Sequence, residues 1–223
     1  MSARLWTILR RDLARLVLGG RSGALLPVLF FLAVAMLYPF AVGPDAPMLA
    51  KTGGGVIWVA ALLAAILPLD RLIEPDIEAG FFDQWTLRGI SEEAVIAVRV
   101  LAHWLSFGPP LMLATIPAAA LLGIDAYALR TIELGLLAGT PGLAALGVII
   151  ACMTSGLRGG AALAGLLVIP LAVPLLIFGA GSLASNASGS GENGLALAAA
   201  CSLVLIAIAP FAGGAAIRAA REG

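Results

Sequence analysis

Charged residues are scarce in this sequence. Lysine, arginine, aspartate and glutamate make up 12% of the 223 residues, whereas hydrophobic residues make up 61%. A soluble domain carries about 25% charged and about 45–50% apolar residues. A soluble fold of this length could not bury so much apolar surface, so lipid is the solvent of most of the chain. The net charge of zero also provides no basic field for binding nucleic acid.

Lysine is almost absent from this sequence. A common ATP-binding motif, the phosphate loop, requires a lysine. Twelve of the thirteen cations are arginine, and Lys51 is the exception. The residues around Lys51 do not form the GxxxxGK[ST] loop that cradles phosphates. The chain therefore cannot bind and hydrolyse ATP by that route, and we predict no catalytic residues. ATP-driven transport would need a separate ATPase subunit.

Histidine and cysteine are also rare. There is one histidine, and the two cysteines, Cys152 and Cys201, lie in apolar runs without metal-ligand spacing. We therefore predict no metal site and no cofactor bound by this chain. The apolar runs contain almost no carboxylates, which argues against a proton- or sodium-coupled carrier. They also lack a nucleophile with a partner base, which argues against an intramembrane protease.

What the sequence does contain is six apolar runs, each close to the roughly 20 residues that cross a bilayer as a helix. They cover about residues 23–42, 52–69, 95–122, 131–153, 161–181 and 194–216. We predict an all-α polytopic membrane protein with six transmembrane helices, forming a single permease domain over residues 1–223. Gly135 and Gly139 form a GxxxG pattern in the fourth run, which predicts close helix packing.

Residues 2–18 form a different kind of helix, because arginine recurs through them. At helical spacing, one face collects apolar side chains and nearly the opposite face collects arginines. The apolar face comprises Leu5, Leu9, Leu13, Leu16 and Val17, and the other comprises Arg4, Arg11 and Arg15. This pattern predicts an amphipathic helix lying in the membrane interface.

The arginines also predict the orientation in the membrane. Six spans place both chain ends on one side, and that side carries eleven of the thirteen cations. These are Arg4, Arg10, Arg11, Arg15, Arg21, Arg71, Arg88, Arg99, Arg158, Arg218 and Arg221. Only Lys51 and Arg130 fall on the other side. The positive-inside rule therefore predicts that both termini are cytoplasmic.

One charged segment, residues 68–93, interrupts the apolar runs. It holds seven of the thirteen acids: Asp70, Glu74, Asp76, Glu78, Asp83, Glu92 and Glu93. Apolar anchors alternate with these acids: Leu72, Ile73, Ile77, Phe81, Phe82, Trp85 and Leu87. An exposed segment with aromatic anchors suits docking into a partner's groove, here from the cytoplasm. The alternative is a solvated loop.

Ionisable residues inside the spans are few, and each is a functional candidate by default. His103 and Trp104 lie in the third run, and Arg130 and Glu133 lie near the start of the fourth. Arg130 and Glu133 are one helical turn apart and could pair with each other. A single histidine beside a tryptophan is more often a packed residue than a haem ligand.

Short matches in order along the chain carry a resemblance. They are 39–44 (PFAVGP), 55–63, 69–72 (LDRL), 102–104 (AHW), 121–123, 138–141 (AGTP), 157–160 (LRGG) and 170–178 (PLAVPLLIF). With six predicted spans, this ordered set resembles the cytochrome c maturation protein B family, the haem exporter permeases of bacteria. The resemblance weakens after Gly80, where Phe81, Phe82 and Asp83 depart from the family's pattern.

The resemblance implies an ABC-2-like permease subunit, without an ATPase site of its own, in the bacterial inner membrane. The implied partners are an ATP-binding subunit (cytochrome c maturation protein A), maturation proteins C and D and, indirectly, the haem chaperone E, with haem as a possible cargo. Together with the charged segment, it favours contact with the ATPase through Asp70, Arg71, Leu72, Glu74, Asp76, Glu78 and Gly80. Two alternatives stay open: a permease for a lipid or polysaccharide cargo, and a passive scaffold for the maturation complex.

Overall fold

The computed structural model describes residues 2–19, 23–184 and 191–222, and these ranges are helical with short turns between the helices. Arg21, one of the eleven arginines used above to predict the orientation of the chain, lies outside these ranges. The helices are α1 (Ser2–Leu18), α2 (Leu25–Val42), α3 (Ala46–Ile66), α4 (Glu74–Glu78), α5 (Phe81–Leu87), α6 (Glu92–Leu121), α7 (Ala126–Thr154), α8 (Gly160–Leu171), α9 (Val173–Ala184) and α10 (Gly191–Glu222). A 3₁₀ turn, Leu69–Arg71, joins α3 to α4.

Membrane-spanning helices dominate the described residues. Five helices are long and apolar enough to cross a bilayer, and α8 with α9 form a bent pair that would make a sixth span. The prediction of an all-α polytopic membrane protein is confirmed. The orientation of the termini stays a prediction.

The helices extend beyond the apolar runs that revealed them. Helix α3 begins at Ala46, where Asp45 accepts a hydrogen bond from the Met48 amide at 3.2 Å. Helix α6 begins at Glu92, where the Ser91 hydroxyl accepts from the Ala94 amide at 3.3 Å. Hydropathy marks the part of a helix that suits lipid, whereas capping side chains determine where the helix starts.

The fifth apolar run is not one straight helix. The axis bends by 48° between α8 and α9, at Ala172. Pro174 has no amide hydrogen to donate to the carbonyl one turn earlier, which interrupts the helical hydrogen bonding. The helix resumes with the Leu176 amide donating to the Ala172 carbonyl at 3.0 Å.

Helix α7 forms the centre of the bundle, in contact with α3, α6, α8, α9 and α10. Within its most apolar stretch 72% of the residues are buried, compared with 17% in α2 and in α10. Small residues let a large side chain enter this centre. A Cβ atom on Gly139 or Gly179 would overlap the buried ring of Trp58, and one on Gly135 would lie 3.3 Å from it. The GxxxG pattern thus makes room for an indole ring.

Three helices are longer than the bilayer requires. Helix α6 has 30 residues, α7 has 29 and α10 has 32. At 1.5 Å per residue each is about 45 Å long, against about 30 Å of hydrocarbon. The start of α6 and the end of α10 meet beyond the apolar part, next to α1 and residues 68–93. We call this region the charged end.

Candidate coupling site

The N-terminal helix is part of the packed protein as well as amphipathic. Its side chains Ile8, Leu9 and Leu16 are buried, and α1 packs along α6. Trp6 and Leu18 are 59% and 82% exposed and face outward. The apolar face predicted to lie in the membrane interface therefore packs largely against protein. The outward side chains are left to contact the surroundings.

A buried ionic cluster joins α1 to the charged segment. Asp76 is 1% exposed, and its carboxylate accepts hydrogen bonds from three arginines. Arg11 Nη2 lies 2.5 Å from Asp76 Oδ1, Arg15 Nη1 lies 2.6 Å from the same oxygen, and Arg99 Nη2 lies 2.5 Å from Oδ2. Since Arg99 belongs to α6, one carboxylate ties α4 to both α1 and α6.

A second carboxylate and two carbonyls complete this cluster. Asp12 is also 1% exposed, with Oδ2 2.8 Å from Arg99 Nε and Oδ1 3.2 Å from Arg11 Nη1. The contact between Arg99 Nε and Asp12 Oδ2 is an ion pair whose geometry does not meet that of a hydrogen bond. Arg15 donates to the Arg71 carbonyl at 2.5 Å, and Arg99 donates to the Leu72 carbonyl. We call Arg11, Asp12, Arg15, Asp76 and Arg99 the Asp76 cluster.

The electrostatics of the Asp76 cluster favour ionisation of Asp76 over ionisation of Asp12. Burial raises the pKa of Asp12 despite the nearby arginines, Arg99 first among them. Burial also lowers the pKa of Arg15, although Asp76 opposes the shift. Three guanidinium groups face two carboxylates. Because all three donate hydrogen bonds to Asp76, that residue is the anion that the arginines share. Burying such charges is costly unless each is paired, which makes the cluster intolerant of losing one partner.

A proline and a glycine shape the backbone that presents Asp76. Pro75 occupies the first turn of α4, where its missing amide hydrogen costs no helical hydrogen bond. Gly80 has a φ of 64°, a left-handed conformation that glycine adopts easily, and it separates α4 from α5. The segment therefore folds as short helical pieces, and the Asp76 side chain points inward from one of them.

The other residues predicted to contact an ATPase are divided between the two faces of the segment. Asp70 and Glu78 are exposed, and Glu74 is half-buried. Asp70 lies 3.9 Å from its neighbour Arg71, a loose ion pair. Leu72 is fully buried, and Gly80 is half-buried at the turn. The structure thus places Asp76 and Leu72 inside and leaves three acids able to meet a partner.

A second ionic cluster ties the end of α10 to the charged segment. Arg218 Nη1 lies 2.5 Å from Glu93 Oε1 and 3.4 Å from Glu92 Oε2. Arg221 Nη1 lies 2.8 Å from Glu92 Oε1, and its Nη2 pairs with Asp83. We call these five residues the C-terminal cluster. Within it Asp83 is 60% exposed and Arg218 is 43% exposed, whereas Glu92 is only 11% exposed. Both ends of the chain therefore hold residues 68–93.

Sequence reasoning missed the partners in both clusters. Arg99 and Arg218 entered it only as positive charges that orient the chain, and Asp12 was not singled out. A signal did exist for Asp12. It lies four residues from both Ile8 and Leu16, so this carboxylate shares a helix face with buried apolar side chains.

Of the predicted intramembrane residues, the structure brings His103 and Trp104 into the packed interior. His103 is fully buried, with its ring centroid 4.8 Å from that of Phe107. Neither of its ring nitrogens has a hydrogen-bond partner among the described residues. Trp104 Nε1 donates to Thr140 Oγ1 at 3.0 Å, which joins α6 to α7.

Arg130 and Glu133 are not paired with each other. In the described ranges neither takes part in a salt bridge, and Glu133 Oε1 is buried without a hydrogen bond. Both residues line a groove between α6 and α7, at the opposite end of α6 from the Asp76 cluster. No group of three histidine, cysteine, aspartate or glutamate side chains within the described residues could hold a metal ion.

Known proteins match the chain over nearly its whole length. The family model described as CcmB protein matches residues 3–220. The chain belongs to the CcmB family. Heme exporter protein B of Bradyrhizobium diazoefficiens is 42% identical over 213 residues, covering 95% of this chain and 96% of that protein. The protein of the same name from Rhodobacter capsulatus is 43% identical over 212 residues, covering 95% and 97%.

A more distant relative shows the same coverage. Heme exporter protein B of Escherichia coli strain K12 is 37% identical over 214 residues, which is 96% of this chain and 97% of that protein. Together with the spanning helices, this membership makes the chain a multi-pass protein of the bacterial inner membrane.

Proposed function

We propose that this chain is the permease subunit of an ATP-binding-cassette haem exporter that serves the maturation of c-type cytochromes. The relatives are named heme exporter protein B, and the family match covers residues 3–220. The sequence offers no phosphate loop, so the energy would come from a separate ATPase subunit, the family's maturation protein A. Maturation proteins C and D, and the haem chaperone E, would complete the pathway.

One observation supports the coupling role above all others: the Asp76 cluster. A partner that moves residues 68–93 pulls on α4, and the Asp76 carboxylate links α4 to α1 and α6 through three arginines. Helix α6 in turn packs against α7 at the centre of the bundle. Packed helices transmit such displacements because close-packed interiors have low compressibility. The cluster would thus convert movement at the charged end into movement of membrane helices.

The exposed acids on the same segment suit the contact with the ATPase. Asp70, Glu74 and Glu78 face away from the cluster or are only half-buried, so a partner can reach them. Substituting them in the interface should weaken assembly without disturbing the fold, because surface changes away from packed features alter stability little.

Co-purification tests this proposal. The permease with Asp70→Asn, Glu74→Gln and Glu78→Gln combined is co-expressed with the ATPase subunit and isolated in mild detergent. We expect the amount of retained ATPase to fall by about tenfold, the effect of losing roughly 1.4 kcal/mol of binding. Lys51→Gln, an exposed charge at the other end of the helices, is the control and should retain the ATPase fully. Wild-type recovery in the triple variant would refute docking through this segment.

The scaffold alternative predicts a different result. A scaffold only assembles its partners, so a complex with an ATPase that binds but cannot hydrolyse ATP should still release the haem-loaded chaperone. A coupled permease should not. A lipid or polysaccharide cargo is disfavoured by the names of the relatives, and haem content of the purified complex separates that alternative.

A further inference from the structure

An unassigned groove lies between α6 and α7, near the turn that joins them. Its volume is about 1070 Å³. Most of its wall is apolar, formed by Pro109, Met112, Leu113, Ile116, Leu129 and Leu134. Leu113 and Ile116 are 71% and 57% exposed, so the groove opens on the outer surface of the bundle. Its size fits a bulky ligand, because sites for drug-sized molecules occupy about 300–1,000 Å³.

Polar groups gather on the α7 side of the groove. Arg130 is exposed and, within the described residues, has neither an ion pair nor a hydrogen bond. Glu133 has a buried, unpartnered Oε1, and Thr131 Oγ1 donates to the Tyr127 carbonyl at 3.2 Å. An unpaired cation beside apolar surface is costly near a membrane. A ligand that combined an apolar body with an anionic group would compensate it.

We propose that this groove holds haem in transit, with a propionate on Arg130 and the porphyrin against the apolar wall. The inference rests on the proposed function, because it names a place for the cargo. Haem matches the two properties of the groove, an extended apolar surface and a carboxylate for the guanidinium. An arginine pairs well with a carboxylate because its planar donors match both oxygens.

The lining also favours haem over a phospholipid. Met112 supplies a thioether and Tyr127 a phenol, and both side-chain types ligate haem iron in proteins. A phospholipid would make use of neither.

Haem titration of the full-length protein in phosphatidylcholine nanodiscs tests the proposal, with the Soret absorbance as readout. We expect Arg130→Gln to weaken binding by about tenfold, because a charge-assisted contact is lost. Arg158→Gln is the matched control, since Arg158 is also exposed but lies between α7 and α8. At least one of Tyr127→Phe and Met112→Leu should shift the Soret band.

Three outcomes would overturn the assignment. The first is equal haem affinity in the wild type and in Arg130→Gln. The second is an unchanged Soret band in both Tyr127→Phe and Met112→Leu. The third is Arg130-dependent binding of phosphatidylglycerol without binding of haem, which would assign the groove to lipid. The proposed function is tested separately by ATPase retention at the charged end, so failure of the groove would leave that result standing.

Discussion

The two ionic clusters at the charged end use the same chemistry in different surroundings. The Asp76 cluster buries its carboxylates, with Asp12 and Asp76 each 1% exposed. The acids of the C-terminal cluster are more open to water, from Glu92 at 11% exposure to Asp83 at 60%. A buried charge depends on its partners because water cannot replace them, whereas an exposed charge can exchange a partner for water. Similar distances therefore predict very different consequences of substitution.

The clusters also differ in what they connect. The Asp76 cluster links α4 with α1 and α6, so it joins the charged segment to a membrane helix. The C-terminal cluster links α10 with α5 and the first turn of α6. We infer that the first cluster carries the mechanical connection and the second holds the segment against the bundle. Substitutions in each cluster separate these roles.

Asp76→Asn should have the largest effect. The variant keeps the shape of the side chain but leaves three arginines around a neutral amide, with only Asp12 to balance them. Removing one partner of a buried ion pair costs about 3–5 kcal/mol, so we expect a loss of that size in the free energy of unfolding in detergent. In the complex, stimulation of ATP hydrolysis by the permease should disappear.

Asp83→Asn is the matched control for Asp76→Asn, because it removes an exposed acid from the other cluster. Its stability and its coupling should stay close to those of the wild type. If both variants lost equal stability, burial would not be what separates the two clusters. If Asp76→Asn kept full coupling, the mechanical role would be wrong.

The sequence predicted the membrane helices well because hydropathy is a local property. Each of the six apolar runs overlaps a helix or a bent helix pair, and the charged segment stands out by composition. The cluster partners depend instead on distant pairing. Asp76 meets Arg11 and Arg15 across 65 and 61 positions, and no period of a single helix contains that information.

The arginines of α1 show why the reading of one helix was incomplete. Their position opposite the leucines predicted the polar face of a helix lying in the membrane interface. In the folded protein Arg11 and Arg15 reach the buried Asp76 instead. The groove beside Arg130 was likewise invisible, because it arises from the packing of two helices. Glu133 and Arg130 have the spacing of a pair, but they form no salt bridge among the described residues.

Asp12→Asn should have an intermediate effect that depends on pH. The pKa of Asp12 is raised by burial above its ordinary value of 3.8, so the folded protein holds this proton more tightly than the unfolded chain does. The stability that Asp12 contributes is therefore complete below pH 3.8 and is lost as the pH rises through the raised pKa. Asparagine resembles the protonated form and does not titrate.

The measurement compares unfolding of the wild type and Asp12→Asn from about pH 4 to about pH 7. Stability of the wild type relative to the variant should fall with rising pH, because the folded protein gives up the Asp12 proton less readily than the unfolded chain does. A constant difference across this range would show that Asp12 is ionised as easily as in the unfolded chain. It would also remove the distinction between the two acids of the cluster.

Arg221→Gln should have the smallest effect, and salt should mask it. Its partner Asp83 is 60% exposed, and its other partner Glu92 lies in the first turn of α6, where the helix dipole favours an acid. We therefore expect a loss of about 0.5 kcal/mol at about 0.1 M salt, typical of exposed pairs. At about 1 M salt the screening length falls to about 3 Å, and the difference from the wild type should vanish.

Arg158→Gln, an exposed arginine outside both clusters, should show no such salt dependence. A loss as large as that of Asp76→Asn, unchanged by salt, would mean that α10 and the charged segment are locked as firmly as α4 and α6, and both chain ends would then carry the coupling.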